Sequence, residues 1–431
     1  MVYYSTNHKS EPATLSEAVV RGLAPDGGLY MPEHINKLPK EFFDHIQELT
    51  FQEIAFEVAK AFFGDDIPDA DLKKIVYDTL PFDCPVVEVT DRIYSLELFH
   101  GPTLAFKDVG ARFMARLLAY FREKGGEVNV LVATSGDTGS AVANGFLGVE
   151  GVKVYVLYPK GKVSAIQECQ FTTLGKNITA LEIDGVFDDC QALVKKAFQD
   201  PELNAKMKLT SANSINVARF LPQAFYYFYA YAQMKRRGLA DDLVMAVPSG
   251  NFGNITAALF GHAMGLPIKR FIAANNANDV VYQYLKTGVY EPRPSIPTIA
   301  NAMDVGAPSN FARILELYGN DHKAITSLIS GATFTDQEIR RAMKQCYEAT
   351  GYVLDPHGAC GYEALKEGLK EGETGVFCET AHPAKFKDTV EGAIGAEIAI
   401  PERLAAFMAG EKQSIELTAD FQKFKEYLLS R

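Results

Sequence analysis

Cysteine is scarce and follows no pairing pattern. The six residues, at 84, 169, 190, 346, 360 and 378, show neither a CxxC nor a metal-finger spacing, which argues against a disulfide framework and against a zinc site. They are expected as core thiols in a reducing cytosol. Positive charge is also short: the net charge is −11 and no Lys/Arg block offsets it, which excludes nucleic acid as a natural partner. Any anionic ligand must therefore be held by local donors. There is no uninterrupted apolar run of membrane length. The opening "MVYYSTNHKSEPATLSEAVV" has no basic region followed by an apolar stretch, so a cytoplasmic location with no membrane partner is expected. Neither GxxxxGK[ST] nor GxGxxG occurs, which argues against nucleoside triphosphates and dinucleotides. Internal repeats and low-complexity segments are absent as well.

What is present fits a soluble enzyme. Hydrophobic residues make up 47% and charged residues 23% of 431, an ordinary balance, and that length calls for two or three lobes. Residues 1 to about 93 mix amphipathic segments with loops such as "APDGGLYMP" and contain no strand, glycine loop and helix in succession. From about residue 94 short apolar strands alternate with helical patterns, the texture of βα units on a mostly parallel sheet. Strands are expected at 128–134, 153–159, 178–184, 243–249 and 375–380.

The stretch "ELFHGPTLAFKDVGARF" places Lys107 behind Leu104, Ala105 and Phe106 and at the first turn of a helix marked by Val109, Phe113, Leu117 and Phe121. Desolvation and the helix dipole both disfavour an ammonium there, so its amine should deprotonate easily. A neutral amine in a dry pocket is what Schiff-base chemistry with pyridoxal phosphate requires.

Two segments have the strand, polar glycine loop, helix arrangement that binds anions through backbone N–H groups. One is "TSGDTGSAVANGF", with Thr134, Ser135, Gly136, Asp137 and Thr138. The other is "PSGNFGNITAALFGHAMG", with Gly250, Asn251, Phe252, Gly253 and Asn254 and a helix capped near Asn254 or Thr256. A third cluster, "NSINVARF", offers Asn213, Ser214, Asn216 and Arg219 within two turns as a phosphate clasp. "YPKGKVSAIQ" adds Lys160, Lys162 and Ser164, and "ETAHPAKFKD" carries Thr380, His382 and Lys385 after an apolar strand. His382 and His357, each alone in its segment, read as structural. No metal site is expected.

Five of these blocks, "HGPTLAFKD", "TSGDTGSA", "SANSIN", "PSGNFGN" and "TAHPAKF", stand in an order that resembles the threonine synthase family, in its longer subgroup with an N-terminal extension. The resemblance runs through nearly the whole chain. It implies the α/β fold of pyridoxal-phosphate enzymes of fold type II, shared with the tryptophan synthase β chain, with the cofactor in a cleft between two α/β lobes and an N-terminal lobe beside them. The division it implies is an N-terminal lobe at 1–93, a large cofactor-binding domain at 94–127 and 215–431, and a small α/β domain at 128–214. Lys107 would be the Schiff-base lysine. Gly250 to Asn254 would hold the cofactor phosphate, and Thr380 would face the pyridine nitrogen. Thr134, Ser135, Gly136, Asp137 and Thr138 would surround the substrate carboxylate and the oxygen side of the ring.

Related enzymes of this fold often carry asparagine where Asp137 stands. A carboxylate beside a phenolate oxygen would be repelled, so Asp137 is expected to turn to backbone donors or to an Arg or Lys. The implied reaction converts O-phospho-L-homoserine and water to L-threonine and phosphate by γ-elimination and β-addition, with no obligate protein partner. Asn213, Ser214, Asn216 and Arg219, helped by Lys162, would then hold the substrate phosphate. The alternatives are another lyase of the same fold, such as a serine or threonine dehydratase, and a catalytically silent pyridoxal-phosphate-binding protein.

Overall fold

A computed structural model describes residues 1–122 and 126–431. Among them, fourteen strands form three sheets. Strands β1 (Val2–Ser5), β2 (Ala13–Thr14) and β3 (Tyr30–Pro32) make a small antiparallel sheet in the order β2-β1-β3. The large sheet contains β4 (Val86–Thr90), β5 (Ile93–Glu97), β10 (Leu243–Pro248), β11 (Arg270–Asn275), β12 (Ile329–Thr333) and β13 (Thr374–Glu379), in the order β12-β11-β10-β13-β5-β4. It is parallel except for the β4–β5 pair. The third sheet is parallel throughout. It contains β6 (Val128–Ala133), β7 (Val152–Pro159), β8 (Ile178–Asp184), β9 (Leu209–Ser211) and β14 (Ile415–Thr418), in the order β14-β8-β7-β6-β9.

All five expected strands form, each within a residue of its expected bounds. Strands β6, β10 and β13 are buried at every position, as central parallel strands covered on both faces must be. Two boundaries differ from the expected division. The large sheet takes its edge strand from residues 86–90, inside the expected N-terminal lobe. The third sheet takes its edge strand from residues 415–418, because Ile415 and Leu417 pair alongside Leu181 and Ile183 on the open side of β8.

The strand orders place the site. In the large sheet the chain runs outward from β10 through β11 to β12, while β13 lies on the other side of β10. In the third sheet it runs from β6 through β7 to β8, with β9 on the other side of β6. Strands β10 and β6 are thus topological switch points, where the loops at the carboxyl ends diverge and leave a crevice. The two glycine loops of the sequence follow these two strands. Between the lobes runs the helix Lys107–Phe121, whose Val109, Phe113, Met114, Leu117 and Leu118 are buried.

Candidate active site

Lys107 is the first residue of its helix, and the residues before it are strapped to the segment after β13. The Phe106 N–H donates to the Thr380 carbonyl at 2.8 Å, and His382 N–H donates to the Leu104 carbonyl at 3.0 Å. Asp108 closes the turn by accepting from the Thr103 N–H and hydroxyl at 2.9 and 2.7 Å. The Lys107 Nζ therefore has a fixed origin, and it donates to Thr138 Oγ1 at 2.9 Å. Burial lowers its pKa to about 8; the Asp137 carboxylate opposes that shift, and Arg219 and Lys385 reinforce it.

The loop after β6 presents Thr138 and Asp137 to Lys107. Thr134 shapes this loop, since its Oγ1 accepts from the Gly136 and Gly139 N–H groups at 2.9 and 2.8 Å. Both lone pairs of this hydroxyl are thus used in the turn, and its own O–H is what it has left to offer a ligand. Gly136 has φ 152° and ψ −84°, and a Cβ there would sit 2.6 Å from the Gln167 side chain, so the position requires glycine. Ser135 stays exposed at the loop's tip.

Asp137 is buried and pairs with Lys385 Nζ at 2.6 Å, while Gln167 Nε2 donates to it at 3.1 Å. Burial pushes its carboxyl up, but Lys385 and Lys107 outweigh that and hold it at about 2. Lys385 is a site residue whose role the sequence did not reveal. The only signal was its place five positions after Thr380, among Pro383, Ala384 and Phe386.

The loop after β10 enters its helix earlier than expected. The helix spans Gly253–Ala263, with Phe252 at φ 64° as the residue before it. Asn251 Nδ2 donates to Ser214 Oγ at 2.8 Å, its Oδ1 accepts from Ser309 N–H at 2.7 Å, and Asn310 Nδ2 reaches Ser214 Oγ at 3.2 Å. Asn254 turns its side chain back to the Pro248 carbonyl at 2.7 Å and the Ser249 hydroxyl at 2.9 Å, so it braces the turn and leaves only its backbone for a ligand. The proline-rich stretch around 290–310 backs this turn: a Cβ on Gly250 would lie 2.5 Å from the Ala302 carbonyl oxygen. Ala302 N–H in turn donates to His357 Nε2 at 3.1 Å, whose Nδ1 faces Asp355 at 2.6 Å.

The expected phosphate clasp at 213–219 does not form as one cluster. Ser214 joins the 250–254 turn. Asn216 Nδ2 donates to the Val19 and Ser211 carbonyls at 3.0 and 3.2 Å, and its Oδ1 caps Ala218 N–H at 2.9 Å, so it is a structural cap. Asn213 meets Ser211, whose hydroxyl lies 3.4 Å from its Oδ1. Arg219 is buried, donates from Nη1 to the Ala212 carbonyl, and has an Nε without a partner among the described residues. Lys162 is exposed on the loop after β7, and Lys160 pairs with Glu416 at 3.0 Å.

Arg313, which no motif marked, holds this region to the N-terminal segment. It is buried and donates to Tyr30 O at 2.9 Å, Ile215 O at 2.7 Å and Asn310 Oδ1 at 2.7 Å. Arg313→Ala is expected to destabilise the fold by about 2–4 kcal/mol by stranding these acceptors, read as a lower denaturation midpoint. His382 accepts from Ala384 N–H at 3.0 Å through Nδ1, and burial lowers its pKa to about 4, so it stays neutral and structural.

The arrangement suits pyridoxal phosphate. A lysine with a depressed pKa can present a neutral amine to an aldehyde. An N–H-rich turn at the start of an eleven-residue helix can hold a phosphate, and Gly253 leaves that approach open beside Ser214 and Asn310, which a Cβ would meet at 3.2 and 3.3 Å. Thr380, buried just past β13, can offer a hydroxyl to a ring nitrogen.

Comparisons with known proteins agree. Residues 87–380 match the family model described as pyridoxal-phosphate dependent enzyme. Residues 2–80 match threonine synthase N terminus, and residues 358–428 match threonine synthase, C-terminal. The chain is 46% identical over 429 residues to threonine synthase of Haemophilus influenzae, covering 100% of both chains. The crystal structure of threonine synthase from Escherichia coli superposes with a TM-score of 0.93 at 43% identity, with 100% of both chains covered. A pyridoxal-phosphate-bound threonine synthase from Brucella melitensis gives 0.93 at 36% identity, covering 99% of this chain and 98% of that one. With this fold, this lysine and full-length likeness to these relatives, the chain belongs to the threonine synthase family of pyridoxal-phosphate-dependent enzymes.

Proposed function

We propose that the chain converts O-phospho-L-homoserine and water to L-threonine and inorganic phosphate in the cytoplasm. The observation that carries this reading is the Lys107 amine, with its pKa near 8, bonded to Thr138 beside the turn at one sheet's switch point, while a second N–H-rich turn follows the switch-point strand of the other sheet. Bound pyridoxal phosphate supplies the electron sink that labilises bonds at the substrate's Cα. The chain's own residues do the rest. The 250–254 turn, with Ser214, holds the cofactor phosphate, and Thr380 faces the pyridine nitrogen. A hydroxyl there forms no ion pair with the ring, which suits elimination and replacement better than transamination. Lys107 would anchor the cofactor through its amine and, once freed, would carry protons off Cα and Cβ and deliver one to Cγ, the carbon that loses phosphate, with water supplying the hydroxyl at Cβ and the proton that returns to Cα. Ser135, Gly136 and Thr138 receive the substrate carboxylate. The substrate phosphate is assigned to Arg219, buried with an Nε that has no partner among the described residues, with help from the exposed Lys162.

Phosphate release from phosphohomoserine, measured beside deamination of serine and threonine, decides the reading. Release without deamination supports it. Deamination alone makes the chain a dehydratase, and neither reaction makes it a silent binder. Arg219→Ala, assayed at saturating pyridoxal phosphate, should lower kcat/KM for phosphohomoserine roughly ten- to a hundredfold. Unchanged kinetics would move the phosphate elsewhere.

The pH dependence of cofactor uptake follows from the amine's pKa. Only the neutral amine attacks, so the rate at which cofactor-free protein takes up pyridoxal phosphate should rise with pH and level off above about 8, as stopped-flow absorbance can follow.

A further inference from the structure

Lys385 and Asp137 form a buried ion pair that the proposed mechanism does not use. Their side chains are 0% and 5% exposed. Three separate segments build it. Asp137 comes from the switch-point loop of the third sheet, Lys385 from the turn after β13, and Thr103, whose carbonyl accepts from Lys385 Nζ at 2.9 Å, from the loop that leads into Lys107. Taking an aspartate and a lysine out of water is costly, and their mutual attraction together with the hydrogen bonds from Gln167 and to Thr103 is what offsets it.

We propose that Lys385 is a positioning residue for Lys107: paired with Asp137 and tethered to Thr103, its ammonium cancels the carboxylate that would otherwise keep the neighbouring Lys107 amine protonated. The proposal rests on Lys107 being the cofactor lysine.

The charges around the two lysines support it. Lys107 feels Asp137, which favours its ammonium, and Arg219 and Lys385, which disfavour it. Lys385 acts in turn on Asp137, Asp108, His382 and Cys169. Of these, His382 is held neutral with its pKa near 4, and the Cys169 thiol is pushed up by burial. Asp108 is occupied by two hydrogen bonds from Thr103. Asp137 is thus the carboxylate that both lysines share, and Lys385 is the closer partner, since Lys107 donates instead to Thr138 Oγ1. Remove Lys385, and Lys107 becomes the counter-ion of Asp137. Remove the Asp137 charge, and Lys385 and Arg219 repel the Lys107 proton unopposed.

The test uses full-length protein stripped of cofactor. The rate of forming a borohydride-reducible adduct with pyridoxal phosphate is measured across pH, and the modified lysine is mapped by mass. Lys385→Met should move the midpoint up by about one pH unit or more, so that uptake at neutral pH slows about tenfold. Asp137→Asn should move it down, and the double variant should return it toward the parent. A lobe clamp with no electrostatic role would lower the melting temperature of each variant and leave every midpoint in place, which overturns the proposal. Should Lys385→Met fail to fold, the isosteric Asp137→Asn decides alone, and an unmoved midpoint sinks the idea. An adduct mapped to a lysine other than Lys107 would instead overturn the assignment of the cofactor lysine, and the proposal with it.

Discussion

Lys107→Ala is expected to give a folded protein that binds pyridoxal phosphate without a covalent link and does not turn over. Among the described residues its amine makes one hydrogen bond, to Thr138, and lies 5.8 Å over the Phe106 ring, while burial disfavours its ammonium, so its removal should leave the melting temperature close to that of the parent. Alanine is also the better helix former at this first helical position. Loss of the proton carrier alone should lower turnover by about 10²–10⁴, and loss of the anchor lowers it further. Lys107→Arg should not rescue, because a guanidinium keeps its proton at any working pH. The measurement is borohydride reduction followed by peptide mapping, together with phosphate release. A reducible adduct surviving in the alanine variant would place the reactive amine on another lysine.

Gly253→Val should weaken cofactor binding more than substrate binding. Gly253 opens the helix behind the switch-point turn, and even a Cβ there would stand 3.2 Å from Ser214 Cβ and 3.3 Å from Asn310 Nδ2. A branched side chain must push one of them aside or back the turn away from the phosphate. Losing one or two backbone N–H contacts to a phosphate corresponds to about 1.5–3 kcal/mol, or roughly ten- to a hundredfold in the dissociation constant. Titration of cofactor-free protein with pyridoxal phosphate reads this directly. The phosphohomoserine KM, measured at saturating cofactor, should move much less. Equal loss in both would mean the turn holds the substrate instead.

The parallel core was legible because β6, β7, β8, β10 and β13 are short apolar runs bounded by turn residues. Strands built of small or mixed residues carried no such mark: "ISGAT" of β12, the three residues of β9, and "IELT" of β14, whose partner strand ends at Asp184. In the site, Lys107 and the two glycine loops were legible because local pattern alone puts them at helix starts. Asn216 misled because a helix cap and an anion ligand use the same residue type. What decides between them is Val19, distant in sequence. The role of Lys385, which its segment marked without assigning one, and that of Arg313 were hidden for the same reason, since their carbonyl partners Thr103 and Tyr30 lie 282 and 283 positions away. Nothing local distinguishes such residues from solvated surface cations.

The return of the chain to the third sheet has a consequence for biosynthesis. On the ribosome, β6, β7, β8 and β9 are all made before residue 212, yet the edge of β8 stays uncovered until residues 415–418 emerge. At roughly 5–20 residues per second that interval lasts on the order of ten seconds or more. Throughout it, the nascent chain displays the bare edge of a parallel sheet, the kind of surface that recruits other strands. Ile415 to Thr418 is therefore a late seal, and the period before it closes is when a stalled or prematurely terminated chain is most exposed to aggregation and to capture by chaperones.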